Sequence, residues 1–169
     1  FKNYFVIVFD KPFLSAQTWQ DNTLEPTAKE LNAGHVGSIV GFRTRKGEMI
    51  NARIASSFIS IEQAYQNLEE IGQKNFETIK SEGRAQWNSI LSRVKVEGGD
   101  LDQYRTFYSS LYRSLLFPRK LYEIDKNGNK YHYSPFNGNV CAGPLYTDSG
   151  FWDTFRSLFP FLNLMFPSQ

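Results

Sequence analysis

The chain has 169 residues and a mass of 19.5 kDa, enough for one average domain or parts of two. Its formal charge of +2 is spread without a charged arm, which leaves no electrostatic footprint for nucleic acid or an anionic membrane. With 41% hydrophobic and 21% charged residues, 12 Gly and 7 Pro, it falls outside the disordered, collagen-like and linker classes.

The chain opens on Tyr4–Phe9, a β-branched and aromatic run of strand length. Residues 11–34 are long and polar and contain Pro12 and Pro26. They read as loop, with a short helix around Ala28–Leu31. Val36–Arg43 is a second predicted strand. Arg45-Lys46-Gly47-Glu48 forms a turn in which Gly47 takes the positive φ. Met49–Ser57 is a third strand. Its alternation puts Ile50, Ala52 and Ile54 on a buried face and Asn51 and Arg53 on a wet one, as in an antiparallel sheet covered on one side.

The period then changes from two to about 3.6. Ser60 followed by Gln63 predicts a capping box, with Ile61, Ala64, Tyr65 and Leu68 on one helical face and Gly72 as the stop. A second helix is predicted from Phe76 to Arg93, with Gly83 inside it at a cost of about 1 kcal/mol relative to Ala. Asp100 is the predicted cap of a third helix, Leu101–Phe117, which Pro118 ends. A hairpin follows, with strands Leu121–Ile124 and Lys130–Tyr133 around the Asn127-Gly128 turn. Residues 134–147 read as loop. A last helix starts near Phe151, capped by Asp148 or Ser149, and Pro160 kinks or ends it. The chain stops on the apolar stretch Leu162–Phe166, and both ends are expected to continue in a longer polypeptide. The 27 aromatic residues (15 Phe, 9 Tyr, 3 Trp) call for a sizeable core.

Several chemistries have no support. There is no Gly-rich phosphate loop, no His-Glu-x-x-His zinc helix and no nucleophile elbow. The single Cys141 excludes an internal disulfide and has no His close to it in sequence. Asp125-Lys126-Asn127-Gly128 lacks the later acidic ligands of a calcium loop and reads as a turn. Glu62, Glu69, Glu70 and Glu77 fall on predicted helices and read as a solvated face.

The informative segment is Gly150-Phe151-Trp152-Asp153-Thr154-Phe155-Arg156. A Trp ring offers an apolar face to the C–H groups of a pyranose, and a neighbouring carboxylate accepts hydrogen bonds from vicinal hydroxyls. Arg156, three residues on, is placed to hold the Asp153 carboxylate ionised and oriented. Spacing alone leaves a structural use open. In that use Asp153 complements a helix dipole, Trp152 is a core ring and Arg156 belongs to a surface pair.

Four segments in one order carry a resemblance. They are Ala55–Ala64 with Asn67-Leu68, then Trp87-Asn88 with Leu91, then Thr106–Pro118, then Gly150–Arg156 with Pro160. Over about residues 36–169 the chain resembles glycoside hydrolase family 92, the calcium-dependent exo-acting α-mannosidases. The resemblance implies a mixed fold, β then α. Residues 1–60 would be the C-terminal part of an N-terminal β-sandwich, 61–95 a helical linker, and 96–169 the start of an (α/α)6 catalytic barrel. It implies release of mannose from N-glycan or mannan-type α-mannosides with inversion, calcium as cofactor, and a secreted or periplasmic bacterial location. It also implies that Trp152, Asp153 and Arg156 help shape the mannose subsite. No catalytic acid, base or calcium ligand is carried over onto this chain, because in the family those lie further along the barrel. The partners implied are a mannose-containing glycan and the rest of the same polypeptide, without nucleic acid or membrane insertion. The 169 residues alone are expected to be inactive. The competing reading is a non-catalytic carbohydrate-binding or interaction module.

Overall fold

The structure is a computed structural model that describes residues 2–147 and 149–167. Among them are ten strands and five helices, with the strands leading and the long helices following. The chain divides into two units: Ile7–Ile54, and Phe1–Val6 with Ala55–Gln169. The division falls within β1 (Tyr4–Phe9) and β5 (Ala52–Ser57), which pair with each other.

In the first unit, β2 (Ser15–Gln20), β3 (Thr23–Glu25) and β4 (Val36–Gly41) form an antiparallel sheet in the order β3-β2-β4. The polar stretch read as loop is therefore largely a hairpin. Asp21, at φ 52, turns the chain between β2 and β3, and its N–H donates to the His35 carbonyl at 2.9 Å. A short polar residue that tolerates the left-handed region is what a two-residue hairpin turn requires. Trp19 lies opposite Gly37 in the β2–β4 register. A Cβ at position 37 would come within 2.5 Å of the Trp19 ring, so only glycine lets the indole lie flat there. The Arg45–Glu48 turn forms as expected, with Gly47 at φ 82 and the Glu48 N–H bonded to the Arg45 carbonyl at 3.0 Å. The Lys11 ammonium and the Arg45 N–H hold the Glu48 carboxyl below its usual range.

β5 is shorter than expected, and its faces are exchanged. Arg53, Ala55 and Ser57 occupy the covered side, while Ile54 is exposed. β1 likewise turns Val6 inward and Phe5 and Ile7 outward. Hydrophobic alternation fixes the period of a strand, but which face is covered depends on what packs against it.

In the second unit, Ser60 caps α1 (Ile61–Glu69) by accepting the Gln63 N–H at 3.1 Å. The other half of the predicted capping box is not made, because the Gln63 side chain turns away from the helix end into a buried network described below. The helix is rotated accordingly. Gln63 and Ala64 are buried, whereas Ile61 and Tyr65 are exposed. Asn75 caps α2 (Phe76–Leu91). Asp100 and Gln103 cap α3 (Leu101–Ser114) reciprocally, at 2.8 and 3.0 Å. Trp87 of α2 meets Tyr112 of α3 edge-on at 4.6 Å, and the Tyr108 hydroxyl donates to the Val94 carbonyl. A Cβ on Gly83 would meet nothing within 4 Å, so no close helix contact accounts for that glycine.

After α3 the chain forms β6 (Arg119–Lys120), β7 (Glu123–Ile124), β8 (Lys130–Tyr133), β9 (Val140–Ala142) and β10 (Tyr146–Thr147). β7-β8-β9 is an antiparallel sheet, and β10 pairs with β6. The stretch 134–147 is thus not plain loop. It returns along β8 and then closes on the residues that follow α3. Asp125 holds the β7–β8 turn by accepting the Asn127 and Asn129 N–H groups, each at 2.8 Å, and Gly128 sits at φ 82.

The last helical region is two short helices, α4 (Phe151–Thr154) and α5 (Leu158–Met165). The break comes at residues 155–157, before Pro160. Pro160 fits inside the first turn of α5, where backbone N–H groups have no helical partner anyway. Arg93 donates to the Met165 carbonyl at 2.8 Å and lies 4.5 Å from the Phe166 ring centroid, so Phe166 is buried although Leu164 beside it stays exposed.

The sizeable core called for by the aromatic content is not closed within these residues. Val6, Ala64, Leu111 and Phe166 are the buried hydrophobic residues among those described. The accessible surface is 13443 Å². Two separately compact bodies of these unit sizes would expose only about 10,000 Å² together. Small sheets and single helices each present a second face, and here few elements are available to cover it.

Candidate functional site

The Trp152-Asp153 pair sits in α4, a single turn that starts at Gly150. The predicted cap Ser149 does not serve it. Gly150 occupies the N-cap with no side-chain bond, the Ser149 hydroxyl is buried without a partner among the described residues, and Asp148 lies outside them. The turn is held instead by the Asp153 N–H on the Gly150 carbonyl at 3.2 Å and the Thr154 hydroxyl on the same carbonyl at 2.7 Å. Gly150 is also close to the carboxylate, since a Cβ there would stand 2.8 Å from Asp153 Oδ2.

Phe151 stacks on Phe155 at 5.8 Å and meets Phe159 of α5 at 6.0 Å, yet is itself largely exposed. Trp152 beside it is 83% exposed. Trp152 is therefore not a core ring of this chain. Asp153 and Arg156 are exposed as well. The structure brings all three residues onto one open segment but does not join Asp153 to Arg156, as no ion pair links them among the described residues. The Arg156 guanidinium lies over the Phe155 ring at 5.1 Å. The result is an indole face and a carboxylate next to each other in the open, with a cation one turn away. That set can stack on a sugar ring and accept hydrogen bonds from its hydroxyls.

Glu62, Glu69, Glu70 and Glu77 are exposed on α1 and α2 or just beyond α1, as a solvated face requires. Glu62 is held below the ordinary carboxylate range by its own backbone N–H and the Ser60 hydroxyl at the helix start. Sequence spacing missed one pairing. β8 and β9 place His132 opposite Cys141, although nine residues separate them in the chain. The His132 ring is already engaged through Nδ1 with the Gly143 carbonyl at 2.9 Å, which makes Nδ1 the protonated nitrogen. Among the described residues no three His, Cys, Asp or Glu side chains converge as a metal centre.

Comparison with known proteins gives this segment its context. The family model described as the glycosyl hydrolase family 92 catalytic domain matches residues 63–169, and that of the family's N-terminal domain matches residues 1–57. The solved structure of an inverting mannosidase of family 92 from Bacteroides thetaiotaomicron VPI-5482 is 44% identical. It superposes with a TM-score of 0.88, covering 95% of this chain and 22% of that one. A family 92 glycosyl hydrolase designated ccman5 is 26% identical with a TM-score of 0.81, over 98% of this chain and 22% of that one. An α-mannosidase of the family from Bacteroides thetaiotaomicron, at 24% identity and a TM-score of 0.76, shares the fold over 95% of this chain and 22% of its own. An uncharacterized secreted glycosidase of Arthroderma benhamiae is 33% identical over 75 residues, 41% of this chain and 10% of that protein. The chain thus spans about a fifth of the length of the solved proteins it matches. With the catalytic-domain model covering well over half of its residues, and a β-rich start leading into helices in the same order, the chain belongs to glycoside hydrolase family 92.

Proposed function

We propose that the protein containing this chain is a secreted or periplasmic glycosidase that releases mannose from α-mannosides of N-glycan or mannan type, with inversion and with calcium as cofactor. The observation that carries the reading is the 44% identity, over 95% of the chain, to an inverting family 92 mannosidase. The exposed Trp152-Asp153 turn supports it, because it offers the stacking face and the acceptor that a pyranose needs. The division into sandwich end (1–60), linker (61–95) and first barrel helices (96–169) belongs to the same proposal. The location is supported by the likeness to a protein named a secreted glycosidase. No helix among the described residues is long and apolar enough to cross a membrane.

In an inverting reaction one carboxyl group protonates the leaving oxygen and a second activates water on the opposite ring face, with about 6.5–9.5 Å between them. No residue of this chain is assigned to either role. Trp152 and Asp153 act on binding. The indole covers one face of the sugar, and the carboxylate takes two of its hydroxyl protons in hydrogen bonds and so fixes the ring against the reacting groups. Calcium, when bound, supplies a hard Lewis acid for sugar hydroxyls. Among the described residues no cluster of ligating side chains forms a site for it, so none is assigned to the ion.

The test is direct. The full-length protein, assayed by NMR on an α-mannoside, should release β-mannose first and lose activity on chelation, while the 169 residues alone release none. First appearance of α-mannose, or no mannose release by the full-length protein, contradicts the reading.

A further inference from the structure

The stretch between β5 and α1 is where the two family matches meet, since one ends at residue 57 and the other begins at residue 63. It is fastened by a run of polar groups from elements distant in sequence. Ser57 and Gln63 are 2% and 6% exposed, so their polar atoms need partners inside the protein. The Ser57 hydroxyl accepts the Ile59 and Ser60 N–H groups, at 2.9 and 3.3 Å. Across from it stands β7. Glu123 Oε1 accepts the Phe58 N–H at 2.9 Å, and Oε2 accepts Asn67 Nδ2 at 2.7 Å. Asn67 Nδ2 also donates to the Ser56 carbonyl at 2.9 Å, while its Oδ1 accepts Gln63 Nε2 at 2.8 Å. Gln63 Nε2 donates in addition to the Ile124 carbonyl at 2.9 Å, and Gln63 Oε1 accepts the Tyr131 hydroxyl of β8.

The direction of every bond is set by groups that cannot be turned around. The Ser56 and Ile124 carbonyls can only accept, so the Asn67 and Gln63 nitrogens must face them. The two side-chain oxygens are then acceptors, and the Tyr131 hydroxyl must donate. At the other end the Phe58 N–H can only donate, so Glu123 must accept with both oxygens. We propose that Glu123 is the positioning residue of an orientation-locked polar clamp that fastens the seam between the two domain matches to the β7–β8 hairpin. Each of its carboxylate oxygens takes one donor of this clamp.

A consequence separates this from ordinary packing. Glutamine has the shape of glutamate but carries one acceptor and one donor. Whichever way it turns at position 123, an NH₂ meets either the Phe58 N–H or the Asn67 NH₂, and one half-buried N–H loses this acceptor. Glu123→Gln therefore breaks one of the two bonds that Glu123→Ala breaks.

The experiment is hydrogen exchange of the full-length protein, read at the Phe58 amide. Glu123→Ala should exchange there about tenfold faster than the wild type, and Glu123→Gln and the outer-end variant Tyr131→Phe about threefold faster. Wild-type protection in Glu123→Ala overturns the proposal. If Glu123→Ala does not fold, Tyr131→Phe decides: faster exchange at Phe58 supports the clamp, and unchanged exchange overturns it. Exchange needs no substrate, so the result stands whether or not the glycosidase reading does.

Discussion

The start of α1 and the start of α4 are both helix beginnings in the same unit, and they are built on opposite principles. At α1 the cap is a side chain, and the amides of Gln63 and Asn67 and the Glu123 carboxylate are bonded to partners within this chain. At α4 the cap is a bare glycine, the helix is one turn long, and Trp152 and Asp153 stand in the open. A region whose polar groups are satisfied internally has no bonding capacity left for a ligand. A region with exposed acceptors and an exposed ring has kept it. That difference is what the proposed mannose subsite at Trp152 and Asp153 requires.

The largest effect that tests this contrast is expected at Asp153. In the full-length enzyme Asp153→Asn should lower kcat/KM on an α-mannoside about 100-fold, since a charge-assisted bond to hydroxyls is weakened in the bound state. The melting temperature should stay within a degree, because the carboxylate is exposed. A fall in stability with normal kinetics would move Asp153 to the structural side of the contrast. Trp152→Ala comes next, with KM raised about tenfold and kcat changed less, as expected for a lost stacking surface. A steady-state titration reads it directly.

Smaller effects probe the closed side. Asp100→Ala removes the side-chain acceptor of the Gln103 N–H, one of the two bonds of the α3 capping box, and should cost about 1 kcal/mol in chemical denaturation. Gly83→Ala should raise stability by about 1 kcal/mol, because an added methyl meets nothing and the helix gains propensity. A loss instead would show that this side of α2 is covered in the whole protein. The smallest effect is at the β7–β8 turn. Asn129, by side chain and backbone, lowers the Asp125 carboxyl from its ordinary 3.8. The folded state thus binds its proton less readily than the unfolded one. The contribution is present above about pH 3.8 and is lost as pH falls through the lowered folded value. Asp125→Asn should flatten that part of the acid-denaturation curve.

Much of the fold was legible because local chemistry decided it. Ser60, Asp100 and Gly128 each do what their residue type and spacing predict. The hairpin at Asp21 was not read, since Ser15–Gln20 is polar and its pairing with β4 reaches across a gap in sequence. β9 escaped for the same reason, as Val140–Ala142 is too short to signal a strand alone and exists by pairing with β8. The exchanged faces of β5 follow from what covers them, which no alternation pattern contains. At the candidate site the sequence picked out Trp152, Asp153 and Arg156. It suggested a carboxylate–guanidinium pair where the structure puts Arg156 over Phe155.

The sequence by itself determined the change from β to α, the Ser60 and Asp100 caps, the tight turns at Gly47 and Gly128, and membership of family 92. All of these rest on residue types at short, fixed separations. Tertiary structure alone decided that Gln63 abandons its capping box for Asn67, Ile124 and Tyr131, that Glu123 bridges to Phe58 and Asn67, and that Trp152 faces outward. Each depends on which groups, dozens of residues apart in the chain, arrive at the same point with matching donors and acceptors. A buried amide takes the partners that satisfy all its hydrogen bonds, not the nearest one in sequence.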